Sequence, residues 1–277
     1  MKEKRASYIK KIVIDNLWDR VKISWSLRPD VNILSGINGV GKTTILNHAI
    51  DFLENYTGEV KSSEELGVKI EFDDPEATSI PYSIIRSYDR PLLVGDTAKQ
   101  LVNQHIKSEL DWQLYLLQRD YLDYQVNKGN QMIALLSSGE SDKLSRAQDI
   151  SLRKKQFQDF LDELFGYTGK KIDRSSNEIA FLQGEDKLYP YMLSSGEKQM
   201  LIILLTVLVQ DNKHCVLFMD EPEASLHIDW QQRLIGMILE LNPNVQLILT
   251  THSPAVIMEG WLDAVTEVSD ISTPLEL

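Results

Sequence analysis

One stretch of this 277-residue chain has the residue types and spacing to hold a polyphosphate. Gly36-Ile37-Asn38-Gly39-Val40-Gly41-Lys42-Thr43 satisfies G-x-x-x-x-G-K-S/T in full, and Thr44 follows directly. Glycines let such a backbone curl until successive N–H groups face phosphate oxygens. Lys42 is then placed for the β- and γ-phosphates, and the Thr43 hydroxyl for magnesium. A second stretch, Cys215 to Met219, is apolar and ends in Asp220-Glu221. At the end of a buried strand in an open parallel sheet, such a pair stands where ligands collect. Asp220 would hold magnesium, directly or through water, and Glu221 would orient or deprotonate an attacking water. Alone, the pair reads as a solvated turn; beside a phosphate loop it reads as chemistry.

Two further motifs fit the same ligand. Leu193-Ser194-Ser195-Gly196-Glu197-Lys198-Gln199 precedes a strongly apolar helix. A serine hydroxyl and glycine N–H at a helix N-terminus suit an anion. The same residues suit a helix cap, with Ser194 or Ser195 capping and Glu197 in the first turn, and both readings can hold together. Thr250-Thr251-His252-Ser253-Pro254 follows an apolar run, so His252 would end a strand, where it can donate a hydrogen bond to a γ-phosphate and report its presence. Leu136-Ser137-Ser138-Gly139-Glu140 is a near copy of the serine-glycine motif, but it lies among helical repeats and reads as a cap or turn.

The elements that would position these residues follow from periodicity. Residues 8–14 and 21–27 read as an antiparallel strand pair, 31–34 as a buried strand entering the glycine loop, and 43–56 as the helix leaving it. Strands follow near 68–72 and 80–86. From 96 to 170 the period is helical, through Leu101, His105, Leu110, Leu114 and Leu117 and again through Phe157, Phe160, Leu161, Leu164 and Phe165. A strand is expected at 178–182, a helix at 197–210, a strand at 215–219, a helix at 228–241 and a strand at 245–250. Strands alternating with helices imply an α/β chain with a mostly parallel core sheet, here with an N-terminal antiparallel β subdomain. The expected division is a nucleotide-binding core, 1–95 and 171–277, interrupted by a helical insertion, 96–170.

Together these motifs resemble the soluble ABC-type P-loop ATPases. The wording "INGVGKTTIL", "LSSGEKQMLIILL", "DEPEASLHIDWQ" and "LTTHSPAVI" is similar to the overcoming-lysogenization-defect, RecF and SMC-related branch, including ATPases of bacterial anti-phage systems. The resemblance covers 8–86 and 176–268. It implies ATP and Mg2+ as ligands and a homodimer sandwiching ATP. Gly36, Asn38, Gly39, Val40, Gly41, Lys42, Thr43, Thr44, Asp220, Glu221 and His252 would come from one subunit, and Ser194, Ser195, Gly196 and Glu197 from the other. Glu223-Ala224-Ser225-Leu226-His227 resembles the loop that follows the acidic strand in that superfamily. The implied role is a switch that controls a separately encoded effector such as a nuclease. The alternatives are a DNA-clamping repair or chromosome ATPase, with Arg153-Lys154-Lys155 and Lys170-Lys171 as local positive charge, and, third, the nucleotide-binding subunit of a transporter. Two family features lack an assigned residue. Residues 80–95 contain no glutamine, leaving Gln100 as the first in that region, and Tyr8, Trp18 and Trp25, the aromatics available for the base, read first as core or strand-surface packing.

Composition narrows the classes. With 29 basic and 41 acidic side chains the net charge is −12, so the overall field disfavours nucleic acid and anionic membranes, and a polyanion must be met locally. Cys215 is the single cysteine, which excludes an internal disulfide, and with five histidines it offers no usual zinc spacing. The longest apolar run, Met200 to Val209, would extend about 15 Å as a helix, half a bilayer core. No export signal is read at the N-terminus, so the expectation is a cytoplasmic protein without a membrane partner.

Overall fold

The computed structural model describes residues 4–55, 67–86, 106–138 and 142–275. The antiparallel opening is β1 (Ile9–Leu17) against β2 (Val21–Ser26); β4 (Val68–Phe72) and β12 (Ser272–Pro274) complete a four-stranded sheet in the order β12-β2-β1-β4. The second sheet is parallel, in the order β11-β3-β10-β9-β5. It is built from β3 (Val31–Ser35), β5 (Tyr82–Arg86), β9 (Cys215–Asp220), β10 (Val245–Thr250) and β11 (Val265–Glu267).

Alternation along the central strands explains why both faces of the parallel sheet are covered. Val216, Phe218 and Ile248 point into a core shared with the antiparallel sheet and α1 (Lys42–Asn55). Leu217, Met219, Leu247 and Leu249 point into a second core filled by helices. A strand with both neighbours and both faces buried must be apolar at every position, as β9 is up to Asp220. Gln246 is the buried exception in β10. Its side-chain amide accepts from the Ile9 N–H at 2.8 Å and donates to the carbonyls of Ile9 and Arg28, pinning one sheet to the other.

The helical region comprises α2 (Glu109–Ser137) and α3 (Lys143–Gly166). They pack on α4 (Ser195–Val209), with Leu110, Leu114, Tyr121, Phe157, Leu161 and Phe165 in the same core as Met200 to Leu205. This placement explains why α4 is apolar all round: helices cover one side and the sheet the other. A small sheet absent from the sequence reading, β6 (Lys171–Ile172), β7 (Phe181–Gln183) and β8 (Asp186–Leu188), connects α3 to α4. Its β7 overlaps the strand expected at 178–182 only at its end. Among the described residues the remaining α-helices are α5 (Ile228–Leu241), α6 (Pro254–Met258) and α7 (Val268–Ile271). Gln100, Leu101 and His105 lie outside the described residues, as does the 139–140 portion of the serine-glycine near copy; Ser138 forms the C-cap of α2. Among the described residues no helix is long and apolar enough to cross a membrane.

Candidate nucleotide site

The glycine loop spans the C-terminal end of β3 and the first turn of α1. Gly36, Gly39 and Gly41 all have positive φ, at 151°, 81° and 104°, which holds the loop in its curl. Lys42 turns back across it, its Nζ donating to the carbonyls of Gly36 (3.0 Å) and Ile37 (3.3 Å). Val40 packs against Gly36 from within the loop. α1 has no acidic residue in its first turn, whereas α2 has two and α4 and α5 one each. The N-terminal dipole of α1 is therefore not offset by an acidic residue of its own first turn.

Parallel pairing delivers the carboxylates to the same end of the sheet. Thr43 Oγ1 donates to Asp220 Oδ1 at 3.0 Å, and Thr250 Oγ1, from the end of β10, donates to the same oxygen at 2.6 Å. Hydroxyl and carboxylate oxygens are a donor set suited to magnesium. Glu221 has φ +47°, a left-handed conformation unusual for glutamate, and its N–H is held at 3.1 Å by both the carbonyl and the hydroxyl of Thr250. Its carboxylate meets His252 Nε2 at 3.1 Å. The His252 N–H donates to Glu223 Oε1 at 3.0 Å, and Glu223 also accepts from the Thr251 hydroxyl. Strand end, histidine and the Glu223–His227 segment thus form one hydrogen-bonded unit.

An open cavity of about 600 Å³ is lined by Trp18, Asn38, Gly39, Gly41, Lys42, Thr43, Thr44, Glu221 and His252. The structure therefore brings together the loop, the second acidic residue and the histidine, with Asp220 adjoining through Thr43. Trp18, one of three aromatics weighed for the base, is the one at this cavity. It is 51% exposed, sits in the β1–β2 turn at φ +59°, and its ring lies against Gly41. Trp25 is buried in the core. Thr250 was missed by sequence reasoning; its signal was a hydroxyl closing a strand that is apolar apart from Gln246.

Ser194, Ser195, Gly196 and Glu197 do not line this cavity. Ser194 is the N-cap of α4 in a reciprocal capping box with Glu197. Gly196 lies so close to the Ser225 carbonyl that an added Cβ would sit 2.4 Å from it, so the serine-glycine turn packs directly on the Glu223–His227 segment. Glu197 is buried and also takes Lys170 Nζ at 2.9 Å and the Thr168 hydroxyl at 3.2 Å. Burial opposes its ionisation, yet Lys170 and the Ser194 N–H and hydroxyl hold its carboxyl below the ordinary value. Lys198 pairs at 2.8 Å with buried Asp111, the capping-box residue of α2.

The basic runs weighed for DNA are largely engaged inside the molecule. Arg153 donates to the Leu241 carbonyl, Lys154 donates to Gln125 at 2.6 Å, and Lys170 holds Glu197.

Residues 126–259 match the family model described as "AAA domain, putative AbiEii toxin, Type IV TA system", a stretch that contains the serine-glycine turn, the acidic strand and His252. Septu protein PtuA of Bacillus thuringiensis is 26% identical over 303 aligned positions, covering 92% of this chain and 74% of PtuA. The protein named "Retron Vc95 probable ATPase" of Vibrio cholerae serotype O1 biovar El Tor is 27% identical over 119 positions, 39% of this chain but 23% of the relative. Among solved structures, the SMC head bound to the C-winged helix domain of ScpA aligns over 98% of each chain at 15% identity and a TM-score of 0.49. With its glycine loop at the C-terminal end of β3 in a five-stranded parallel sheet and its antiparallel companion sheet, the chain is an α/β P-loop protein, similar at a distance to Septu PtuA and to a retron ATPase.

Proposed function

We propose that the chain binds ATP with Mg2+, hydrolyses it, and works as an ATP-gated homodimeric switch. The observation that carries this reading is the Thr43–Asp220 hydrogen bond, with Glu221 and His252 on the same cavity. The loop amides and Lys42 bind the phosphates, giving up the hydrogen bonds Lys42 makes to its own loop. Thr43 and Asp220 would hold magnesium, which when bound neutralises charge on the phosphate oxygens. Glu221 orients or deprotonates the attacking water, and His252, paired with Glu221 at rest, donates to the γ-phosphate. Trp18 stacks on the base. Ser195 and Gly196 of a second copy complete the site, so the terminal phosphate decides whether two copies hold together.

Likeness to PtuA and to a retron ATPase supports a place in a bacterial anti-phage system, in the cytoplasm, controlling a separately encoded effector. Helices within 96–170 are the segment proposed to select that partner. The test is direct. Lys42→Ala should weaken ATP binding by at least about tenfold, the scale of one charge-assisted phosphate contact. Glu221→Gln should bind ATP yet hydrolyse it at a small fraction of the wild-type rate. Undiminished hydrolysis by Glu221→Gln would remove Glu221 from the mechanism, and undiminished binding by Lys42→Ala would remove the loop.

A further inference from the structure

The serine-glycine turn presents an electrostatic problem. It is proposed to approach the terminal phosphate of ATP held by another copy, yet its third helical residue is a glutamate. A carboxylate in the first turn would neutralise the helix dipole and repel the phosphate. The geometry resolves the conflict. Glu197 does not face outward; it is 6% exposed by side chain, and four groups hold it inward. These are the Ser194 N–H (3.0 Å) and the Ser194 hydroxyl (2.9 Å) on one oxygen, and Lys170 Nζ (2.9 Å) and the Thr168 hydroxyl (3.2 Å) on the other.

Lys170 is the only cation among these four. It arrives from the turn that ends α3: Gly169 has φ +73°, and the Lys170 N–H returns to the Phe165 carbonyl at 3.2 Å. Lys170 Nζ also donates to the Thr168 hydroxyl at 2.9 Å, so lysine and threonine are delivered as one pair. Without Lys170, Glu197 would either stay buried with its charge uncompensated or rotate outward, toward the place reserved for phosphate.

We infer that Lys170 is a positioning residue for ATP-driven assembly: by neutralising and retaining Glu197, it leaves the start of α4 attractive to the phosphate of a nucleotide held by a second copy. No new site is assigned; the inference rests on the dimeric reading above and names the residue that lets an acidic turn serve it.

The experiment measures ATP-dependent mass of the full chain in a Glu221→Gln parent, with ATP affinity and melting temperature recorded for each variant. Lys170→Met should weaken assembly on the order of tenfold or more, the effect of one uncompensated like-charge contact, and by much more than it weakens ATP binding to the single chain. Lys170→Arg should assemble close to the parent. Lys170→Met combined with Glu197→Gln should recover assembly, because a neutral amide needs no counter-ion. Assembly of Lys170→Met at parent strength would overturn the inference. So would failure of the folded double variant to assemble, including the case where Lys170→Met alone does not fold. A parent that stays monomeric with ATP defeats the dimeric reading itself and is thereby told apart from a failure confined to Lys170.

Discussion

At the scale of single residues, two side chains occupy backbone conformations that their types disfavour, and both line the nucleotide cavity. Glu221 at φ +47° and Trp18 at φ +59° are held there by neighbours: Thr250 fixes the Glu221 N–H, and the Asn16–Asp19 hydrogen bonds close the turn that carries Trp18. Strain of this kind persists where surrounding structure over-determines it, and it clusters at functional sites. Gly41 is constrained twice, by φ +104° and by the Trp18 ring 2.7 Å from where a Cβ would stand. Gly41→Ala should therefore displace Trp18 and distort the loop, lowering ATP affinity at least about tenfold while the fold survives, since loop strain of this kind costs about 1–3 kcal/mol. Isothermal titration on the purified variant checks this, and ATP affinity equal to wild type would show that the loop tolerates the methyl group. The loop, Asp220, Glu221 and His252 were legible in the sequence because each motif fixes residue type and spacing. The strain was not, because φ at Glu221 is imposed by a hydroxyl twenty-nine residues away in β10.

Elements come next. Helix ends were readable where caps are local: α5 spans Ile228–Leu241 as its period predicts, and α4 starts one residue after its capping serine. What lies between helices was not readable. Asp111 and Glu197 each close a capping box in their own helix, and each also takes a lysine from elsewhere, Lys198 and Lys170. Such pairs join residues 87 and 27 positions apart and leave no trace in local periodicity. Removing one partner of a buried pair strands the other, so Asp111→Asn should destabilise the chain by about 3–5 kcal/mol in urea unfolding. Burial opposes the charge on Asp111, but Lys198 and the N–H groups of Lys107 and Ser108 hold its carboxyl below the ordinary value. The sign follows from linkage. A depressed carboxyl contributes its full stability above its unfolded value of about 4, and the contribution fades as pH falls through the lower folded value. Asp111→Asn should accordingly show a shallower loss of stability below pH 4 than wild type. An identical acid limb would place the ion pair outside the folding energetics.

Across the whole molecule, two cores meet at the parallel sheet, one beneath the antiparallel sheet and α1, the other beneath the helices. The phosphate loop belongs to the first and the serine-glycine turn to the second. β9 and β10 separate these cores; β9 ends at Asp220 with Glu221 next, and His252 lies two residues past the end of β10, so the acidic pair and the histidine stand where both halves converge. Fold class was legible because alternation and apolar runs reflect two-sided burial. The three-stranded connection β6-β7-β8 was not, because strands of two or three residues carry no period. Within one chain the serine-glycine turn stays off the nucleotide cavity, and the proposed dimer would bring it there from a second copy. The most direct measurement is the solution mass of the Glu221→Gln chain by light scattering, with and without ATP and Mg2+. A shift from the 31.7 kDa single chain to twice that mass with ATP, reversed on exchange for ADP, is the expected result. One unchanged monomeric mass in all three conditions would contradict the idea that ATP holds two copies together.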